Sequence, residues 1–418
     1  SAFGLAPCDK RPQPHLASRF KPIGALTAVR GAGCSWYDGG VKRVLVVVGT
    51  RPEAVKLAPV VRAAQGHRDL TLQVCWTGQH AGLVQPHAHA LGASPPVGPA
   101  RGARPEVLLA RVRRAIETAA PHAVVAQGDT GSVVAAAEAA AACGTPFVHV
   151  EAGLRTGDLA HPWPEEGNRV RIARLATLHL APTRRARQHL VDEGIEPRAI
   201  VVTGNTIVDA VQRALSGLGP DAPTQRLRGF SAPRTRVLFT HHRRESLPRG
   251  AAEVVRGVAG LADAFPGLEI LMPSHPNPAV QEVLTPLQAC PNVRCLPPLR
   301  HRELLWLLGR CRFAITDSGG IQEEAPSLQV PVLVTRHRTE RPEALERGWA
   351  ELVGWDARRL QQSAGRWLED DDAYAQARPW CNPFGDGHAA DRCVQALRCL
   401  LGLSTQAPAA WTGPAIAA

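Results

Sequence analysis

The feature that most constrains this chain is the run RVLVVV, Arg43–Val48, which ends in Gly49 and gives way to TRPEAVKLAPVVRAA. An uninterrupted apolar, β-branched run has no polar face to turn to water. It therefore suits a central strand of a parallel sheet, covered by helices on both sides. The segment after Gly49 reads as a helix: Thr50 and Glu53 have capping-box spacing, Pro52 falls in the first turn, and Val55, Pro59 and Val60 lie near helical spacing. The strand–loop–helix unit presents Arg51 at its tip and Lys56 one turn inside.

The same pattern recurs. Strands are expected at Leu70–Trp76, Ala123–Ala126, Phe147–Val150, Leu178–Ala181 and Ile200–Thr203. A basic amphipathic helix is expected over 101–120, with Val107, Leu108, Val112 and Ile116 as its apolar face, and an Ala-rich helix runs through Ala142. Residues 214–235, rich in Gly, Pro and Arg, read as a linker or loop. Strands then resume at Val237–Thr240, Leu268–Met272, Val293–Cys295, Phe313–Thr316 and Val330–Val334, with helices over 250–264 and around Leu304–Leu308. Repeated strand–helix alternation predicts doubly wound parallel sheets. At 418 residues the chain has length for two such domains. The expected organisation is a disordered extension (1–40), an amino-terminal Rossmann-like domain (41–205), a carboxy-terminal one (206–378), a helix near Asp391–Leu401 returning to the first domain (379–402), and a disordered tail (403–418). The fold class is thus α/β, two Rossmann-like doubly wound domains facing across a cleft, with functional residues at the carboxyl ends of the strands.

Composition narrows the partners. A formal charge of +11 invites a nucleic-acid reading, but the excess is arginine spread along the chain, and aromatics are 5% of residues. Stacking platforms for nucleic acid are not expected; a smaller anion such as a nucleotide diphosphate suits a moderately basic cleft. The ten cysteines form no CxxC pair and no metal spacing, which reads as reduced thiols of a cytoplasmic protein. No apolar stretch approaches the roughly 18 residues of a membrane span, and Ile23–Val29 is too short for a signal peptide. No membrane contact is expected.

The stretch RFAITDSGGIQEEAP, Arg312–Pro326, is the candidate anion site. A strand passing through Ser-Gly-Gly into a helix leaves unpaired N–H groups and partial positive charge at the helix start. Ser318 offers a hydroxyl, Gly319 and Gly320 permit close approach of a diphosphate, and Glu323 and Glu324 offer carboxylates to a ribose diol. A Gly-Gly turn is also an ordinary strand–helix connection.

Taken together and in order, GTRPEAVKLAPV, GDT, HVEAGLRTGD, PWPEEGNR, VTGN, HRRES, TDSGGIQEEAPSL and ERPEA resemble the non-hydrolysing UDP-N-acetylglucosamine 2-epimerases, over about Val44 to Gly354. The resemblance implies the two-domain architecture called GT-B and interconversion of UDP-GlcNAc and UDP-ManNAc, with no cofactor and no metal. It further implies elimination of UDP to a glycal and re-addition, in a homodimer serving polysaccharide synthesis. It makes Asp129, Glu151 and Glu165 the acid/base and sugar-stabilising carboxylates, together with His242. Arg51, Ser318, Gly319 and Gly320 become diphosphate contacts and Glu324 a ribose contact; Lys56, Arg155, His275 and Arg341 become sugar-side or cleft positions. Plainer readings stand beside these. Asp129 also suits a helix cap, Glu165 a first-turn dipole partner, Lys56 a solvated helix face, His242 a structural histidine, and Arg243 and Arg244 flanking charges. Glu151, on a strand exit, has no comfortable structural reading, because burial without a partner is costly.

Departures from the family pattern are His241 before HRRE, Gly131–Val133 after GDT, Arg336–Thr339 before ERPEA, and Trp349 after Gly348. In the activator loop Gln79 and His80 remain, but Ala81 and Gly82 replace the usual charged pair, so weak or absent substrate activation is expected. Other readings are an epimerase for a modified UDP-HexNAc such as a diacetamido sugar, hydrolysis to free ManNAc, a GT-B glycosyltransferase, and a non-catalytic UDP-sugar sensor.

Overall fold

Alternation of the first strand's side chains between two cores sets the layering. In the computed structural model, which describes residues 40–79, 91, 104–217, 224–230, 234–243, 250–275 and 277–414, strand β1 (Lys42–Val48) points Val44, Val46 and Val48 into one core and Leu45 and Val47 into another. Both faces of the strand are covered, as its unbroken apolar sequence requires. The other strands of this half are β2 (Leu70–Trp76), β3 (Ala123–Gln127), β4 (Phe147–Val150), β5 (Leu178–Ala181) and β6 (Ile200–Val202). They pair in parallel in the order β2-β1-β3-β4-β5-β6.

The second half is built from β7 (Arg236–Thr240), β8 (Glu269–Pro273), β9 (Val293–Leu296), β10 (Phe313–Thr316), β11 (Val332–Val334) and β12 (Ala350–Leu352). Their order is β12-β11-β10-β7-β8-β9, again all parallel. Strand β10 divides its side chains between two cores, Ala314 on one face and Phe313 and Ile315 on the other. The chain thus has the expected α/β architecture of two doubly wound sheets. In each sheet the order reverses beside a central strand, between β1 and β3 and between β7 and β10, which is where such sheets open a ligand crevice at their carboxyl edge.

The halves are joined by more than a linker. The helix Thr206–Ser216 places Ile207, Val208 and Val211 in the second core, and Val55, from the helix Arg51–Gln65 of the first half, packs against that core. The helix Ala389–Leu400 returns to the first half, where Ala390, Cys393, Val394 and Leu397 share a core with β1. No described helix is long and apolar enough to cross a membrane.

Three local expectations are corrected. Of the region read as a linker, Leu227 and Phe230 are buried in the second core. The tail, read as disordered, is anchored at two points: Leu403 lies against the first core, and Trp411 is buried, its N–H donating to Val202 O (2.9 Å). An apolar anchor lying more than one helical turn beyond Gly402 carries no periodic signal, which is why it was not legible. In the helix Pro105–Ala119, Leu108, Val112 and Ile116 are buried but Val107 is exposed. The expected extension, residues 1–39, lies outside the described residues.

Candidate active site in the cleft between the sheets

The turns leaving β1 and β3 are fastened together by Glu53. Its carboxylate accepts from Gly49 N (2.6 Å), Thr50 N (3.2 Å), the Thr50 hydroxyl (3.0 Å) and the Thr130 hydroxyl (2.7 Å). The capping box was legible; the reach to Thr130 was not. Gly49 is demanded by space, because a Cβ there would lie 1.9 Å from Ser132 Oγ. The Ser132 N–H and hydroxyl donate to Gln79 Oε1 at 3.0 and 2.6 Å, so Gln79 braces the turn that carries Asp129; His80 lies outside the described residues.

One turn into the first helix, Lys56 is buried, not solvated. Its ammonium contacts Glu151 and lies 2.7 Å from Glu323 Oε2, with the three side chains 6%, 7% and 1% exposed. Glu151 leaves β4 in the left-handed region (φ 66°) and also accepts from Gln127 Nε2 (3.0 Å) and Asn205 Nδ2 (2.8 Å). A non-glycine residue there is uncommon and needs surrounding contacts to hold it. Burial, and then the neighbouring Glu323 charge, push the Glu151 carboxyl upward despite the attraction of Lys56. Glu323, equally buried, stays low because Arg341 and Lys56 outweigh its desolvation. The ammonium is shared by two carboxylates, and the one with the second cation keeps its charge more readily.

From Glu323 the ion pairs continue across the cleft. Arg341 Nε donates to Glu323 Oε1 (2.7 Å), and its other end contacts Glu340. Glu340 also accepts from Arg336 Nη1 (2.8 Å) and from Arg169 Nη2 (3.1 Å), whose helix, Glu165–Leu175, belongs to the first half. Arg169 then donates through Nε to Asp129 Oδ2 (2.8 Å) and through Nη1 to Glu166 Oε2 (2.9 Å). Desolvation would drive the Glu340 carboxyl up, but the arginines around it hold it well below the usual range. A single chain of contacts therefore runs Asp129–Arg169–Glu340–Arg341–Glu323–Lys56–Glu151, crossing between the halves at Arg169–Glu340 and at Lys56–Glu323. Asp129 is the open end, with its side chain 23% exposed. Glu165 is half-buried at the start of its helix beside fully buried Glu166, which accepts from the N–H groups of Thr156 (3.0 Å) and Gly157 (3.1 Å).

On the second sheet, Asp317 organises the exits of β7 and β10. Its Oδ2 accepts from the N–H groups of His242 (2.8 Å) and Arg243 (2.7 Å), and its Oδ1 lies 3.2 Å from His242 Nδ1. Against full desolvation, the two neighbouring histidines and these N–H groups keep its carboxyl low. His242 stacks on His275 at 5.3 Å while keeping 35% of its side chain exposed. The departure His241 is buried, 3.2 Å from the Thr335 hydroxyl. In the Gly-Gly turn, Ser318 and Gly320 are half-buried, and Gly319 is packed so that a Cβ would lie 2.6 Å from the Arg341 guanidinium. Glu324 pairs with His301 Nε2 (2.9 Å). Arg51, across the cleft, feels the Glu324 charge, although its burial is the larger influence on it.

The structure therefore brings Lys56, Glu151, Asp129 and Arg341 into one network, and places His242, His275 and the Ser318–Gly320 turn on the facing edge. It does not bring Arg155 to them: its guanidinium is bidentate to Glu193 (2.6 and 2.8 Å) within the first half. Sequence reasoning passed over Gln127, Glu166, Arg169, Asn205, Asp317 and Glu340, although each stands inside or beside one of the motifs. Arg244, like His80, is outside the described residues. Among the described residues, no group of three or more His, Cys, Asp or Glu is placed to hold a metal ion.

Known proteins are similar to this chain in sequence and in fold. Residues 62–398 match the model of the family Epimerase_2, UDP-N-acetylglucosamine 2-epimerase. A probable UDP-N-acetylglucosamine 2-epimerase of Ralstonia nicotianae is 40% identical over 371 residues, covering 86% of this chain and 99% of that protein. Among solved structures, S. aureus MnaA in complex with UDP superposes with TM-score 0.84 at 33% identity, covering 89% of this chain and 100% of that one. The Neisseria meningitidis UDP-GlcNAc 2-epimerase bound to UDP-GlcNAc gives 0.80 at 33%, covering 85% and 99%.

Proposed function

The chain belongs to the UDP-N-acetylglucosamine 2-epimerase family, and from that premise we propose that it interconverts UDP-GlcNAc and UDP-ManNAc by eliminating and re-adding UDP. The C2 proton of the sugar is not beside a carbonyl, so direct abstraction would leave an unstabilised carbanion. Elimination avoids this: the C2–H electrons form the C1=C2 bond as the C1–O bond breaks, and UDP departs with that bond's pair. UDP then returns to C1 while a proton reaches C2 on the opposite face. Such a route needs carboxylates near the sugar and cations or N–H donors for the departing diphosphate.

The residues divide accordingly. Asp129, Glu151 and Glu165 serve the sugar as acid, base and stabilising carboxylates, with His242 at the leaving-group side. Arg51 and the Ser318–Gly320 turn hold the diphosphate through two half-reactions, and Glu324 takes the ribose hydroxyls. Lys56 and Arg341 set the charge state of Glu151, and His275 supports His242 by stacking. Arg155 acts as a brace of the first half, away from the substrate.

The observation that carries this reading is Glu151. It is a buried carboxylate at a strand exit in a left-handed conformation, held by three donors, with its proton affinity raised. Environments that separate carboxylate pKa values mark acid/base sites. Incubation with UDP-GlcNAc followed by NMR tests the reading. UDP-ManNAc accumulating to an equilibrium mixture supports it, free ManNAc with UDP would make the enzyme hydrolysing, and an unchanged spectrum would overturn it. The proposal includes a homodimer, checked by light scattering on the eluted protein.

A further inference from the structure

The carboxyl edge of the second sheet faces the cleft, but its amino edge holds a separate feature. There the chain enters β7, β10 and β11, and the segments before these strands surround a depression of about 330 Å³. Arg234, Arg236, Arg310, Arg312 and Arg378 converge on it, with Tyr374 at one wall, and among the described residues no acidic side chain lines it.

Four of these guanidinium groups, all but that of exposed Arg234, are held in place rather than trailing into solvent. Arg236 donates to Phe230 O (3.0 Å) and Glu269 (2.7 Å). Arg310 lies 3.6 Å over the Trp306 ring and donates to Trp306 O (3.1 Å). Arg312 donates to Trp367 O (2.6 Å) and to the exposed Asp371 (2.6 Å), and lies 4.1 Å over Tyr374. Arg378 donates to Gln329 Oε1 (2.7 Å). Glu269 and Asp371 pair with Arg236 and Arg312 from outside the lining, whereas the amide that holds Arg378 orients its guanidinium without cancelling its charge. Burial lowers the Arg310 pKa, and the charge of Arg236 lowers it further, so these cations are crowded enough to act on one another. Oriented, crowded guanidinium forks with no carboxylate in the lining match the geometry of phosphate oxygens.

We propose that this depression binds a multiply charged phosphate anion, at a site separate from the nucleotide-sugar cleft and on the opposite edge of the same sheet. The volume admits a short oligophosphate, and a bound anion would relieve repulsion among the arginines and tie the entries of β7, β10 and β11 together.

Calorimetric titration of tripolyphosphate into the full chain, with UDP present in excess to occupy the cleft, tests the proposal. One saturable site is expected. The double variant Arg234→Glu/Arg378→Glu, at two exposed positions, should weaken it by at least about tenfold and leave UDP-GlcNAc turnover unchanged. Affinity should also fall between about 50 and about 200 mM salt. Arg378→Gln, a milder change, should give a smaller loss in the same direction and covers the case in which charge reversal prevents folding. Absence of saturable binding, or equal affinity in both variants and the parent chain, would overturn the proposal.

Discussion

Arg169 donates to Glu340 over 3.1 Å, joining a helix of the first sheet's half to the loop after β11 of the second. Both side chains are buried, at 5% and 1% exposure, and each has further partners of opposite charge. The contact makes the cleft one electrostatic unit.

Removing the charge of Glu340 leaves Arg169, Arg336 and Arg341 facing one another without their common partner. Breaking a buried pair from one side costs about 3 kcal/mol or more. Glu340→Gln is therefore expected to lower the urea stability by about that amount. A loss under about 1 kcal/mol would show that the pairs are locally replaceable.

Lys56→Met puts a similar volume between Glu151 and Glu323 but no charge. Glu151, already pushed upward by burial, loses its opposing cation and rises further. Turnover is expected to fall by about 10²–10⁴, the range for a mispoised acid/base group. UDP, which the proposed function assigns to the opposite edge, should bind within a few-fold of the parent. Loss of UDP binding with unchanged kcat would contradict this division.

Lys56 also shows where the sequence stopped being legible. The spacing in RPEAVK placed it on a helix near a strand exit, but its partners come from the turn after β4 and from the helix after β10, far along the chain. The two sheets, nearly every strand and the strand-exit turns were readable because continuous apolar runs and glycine turns are local signals. Partners were not: Glu323 read as a ribose-facing residue, yet it is the buried hinge of the ion chain. Arg155 shared a motif with Glu151 but turns to Glu193, since adjacency in a motif does not fix side-chain direction. Asp317, the organiser of the second edge, looks like part of a turn until β7 and β10 are placed as neighbours.

Acid should weaken the first half through a histidine pair. His149 and His179 sit opposite each other on β4 and β5; burial pushes His149 down to about 4 and His179 to about 3, with the charge of His149 adding to the effect on His179. The unfolded histidines, near 6.5, bind protons that the folded ones refuse, so stability is lost as pH falls from about 6.5 toward 4. The expected loss reaches about 3 kcal/mol per histidine. His179→Phe should flatten the slope of stability against pH in that window. An unchanged slope would place the acid sensitivity elsewhere.

Gly319→Ala forces a Cβ against an Arg341 guanidinium that Glu323 and Glu340 both hold, so the arginine has little room to give. The turn is expected to open and UDP affinity to fall by roughly tenfold or more, about 1.4 kcal/mol. Calorimetry with UDP checks this, and parental affinity would remove the turn from the proposed diphosphate site.

The most direct test of elimination and return is NMR of UDP-GlcNAc turned over in D2O, with Asp129→Asn alongside. The parent enzyme should give UDP-ManNAc carrying deuterium at C2, and Asp129→Asn should bind UDP while turnover collapses. UDP-ManNAc that keeps the original C2 proton, or an Asp129→Asn enzyme turning over at the parental rate, would contradict the proposed chemistry.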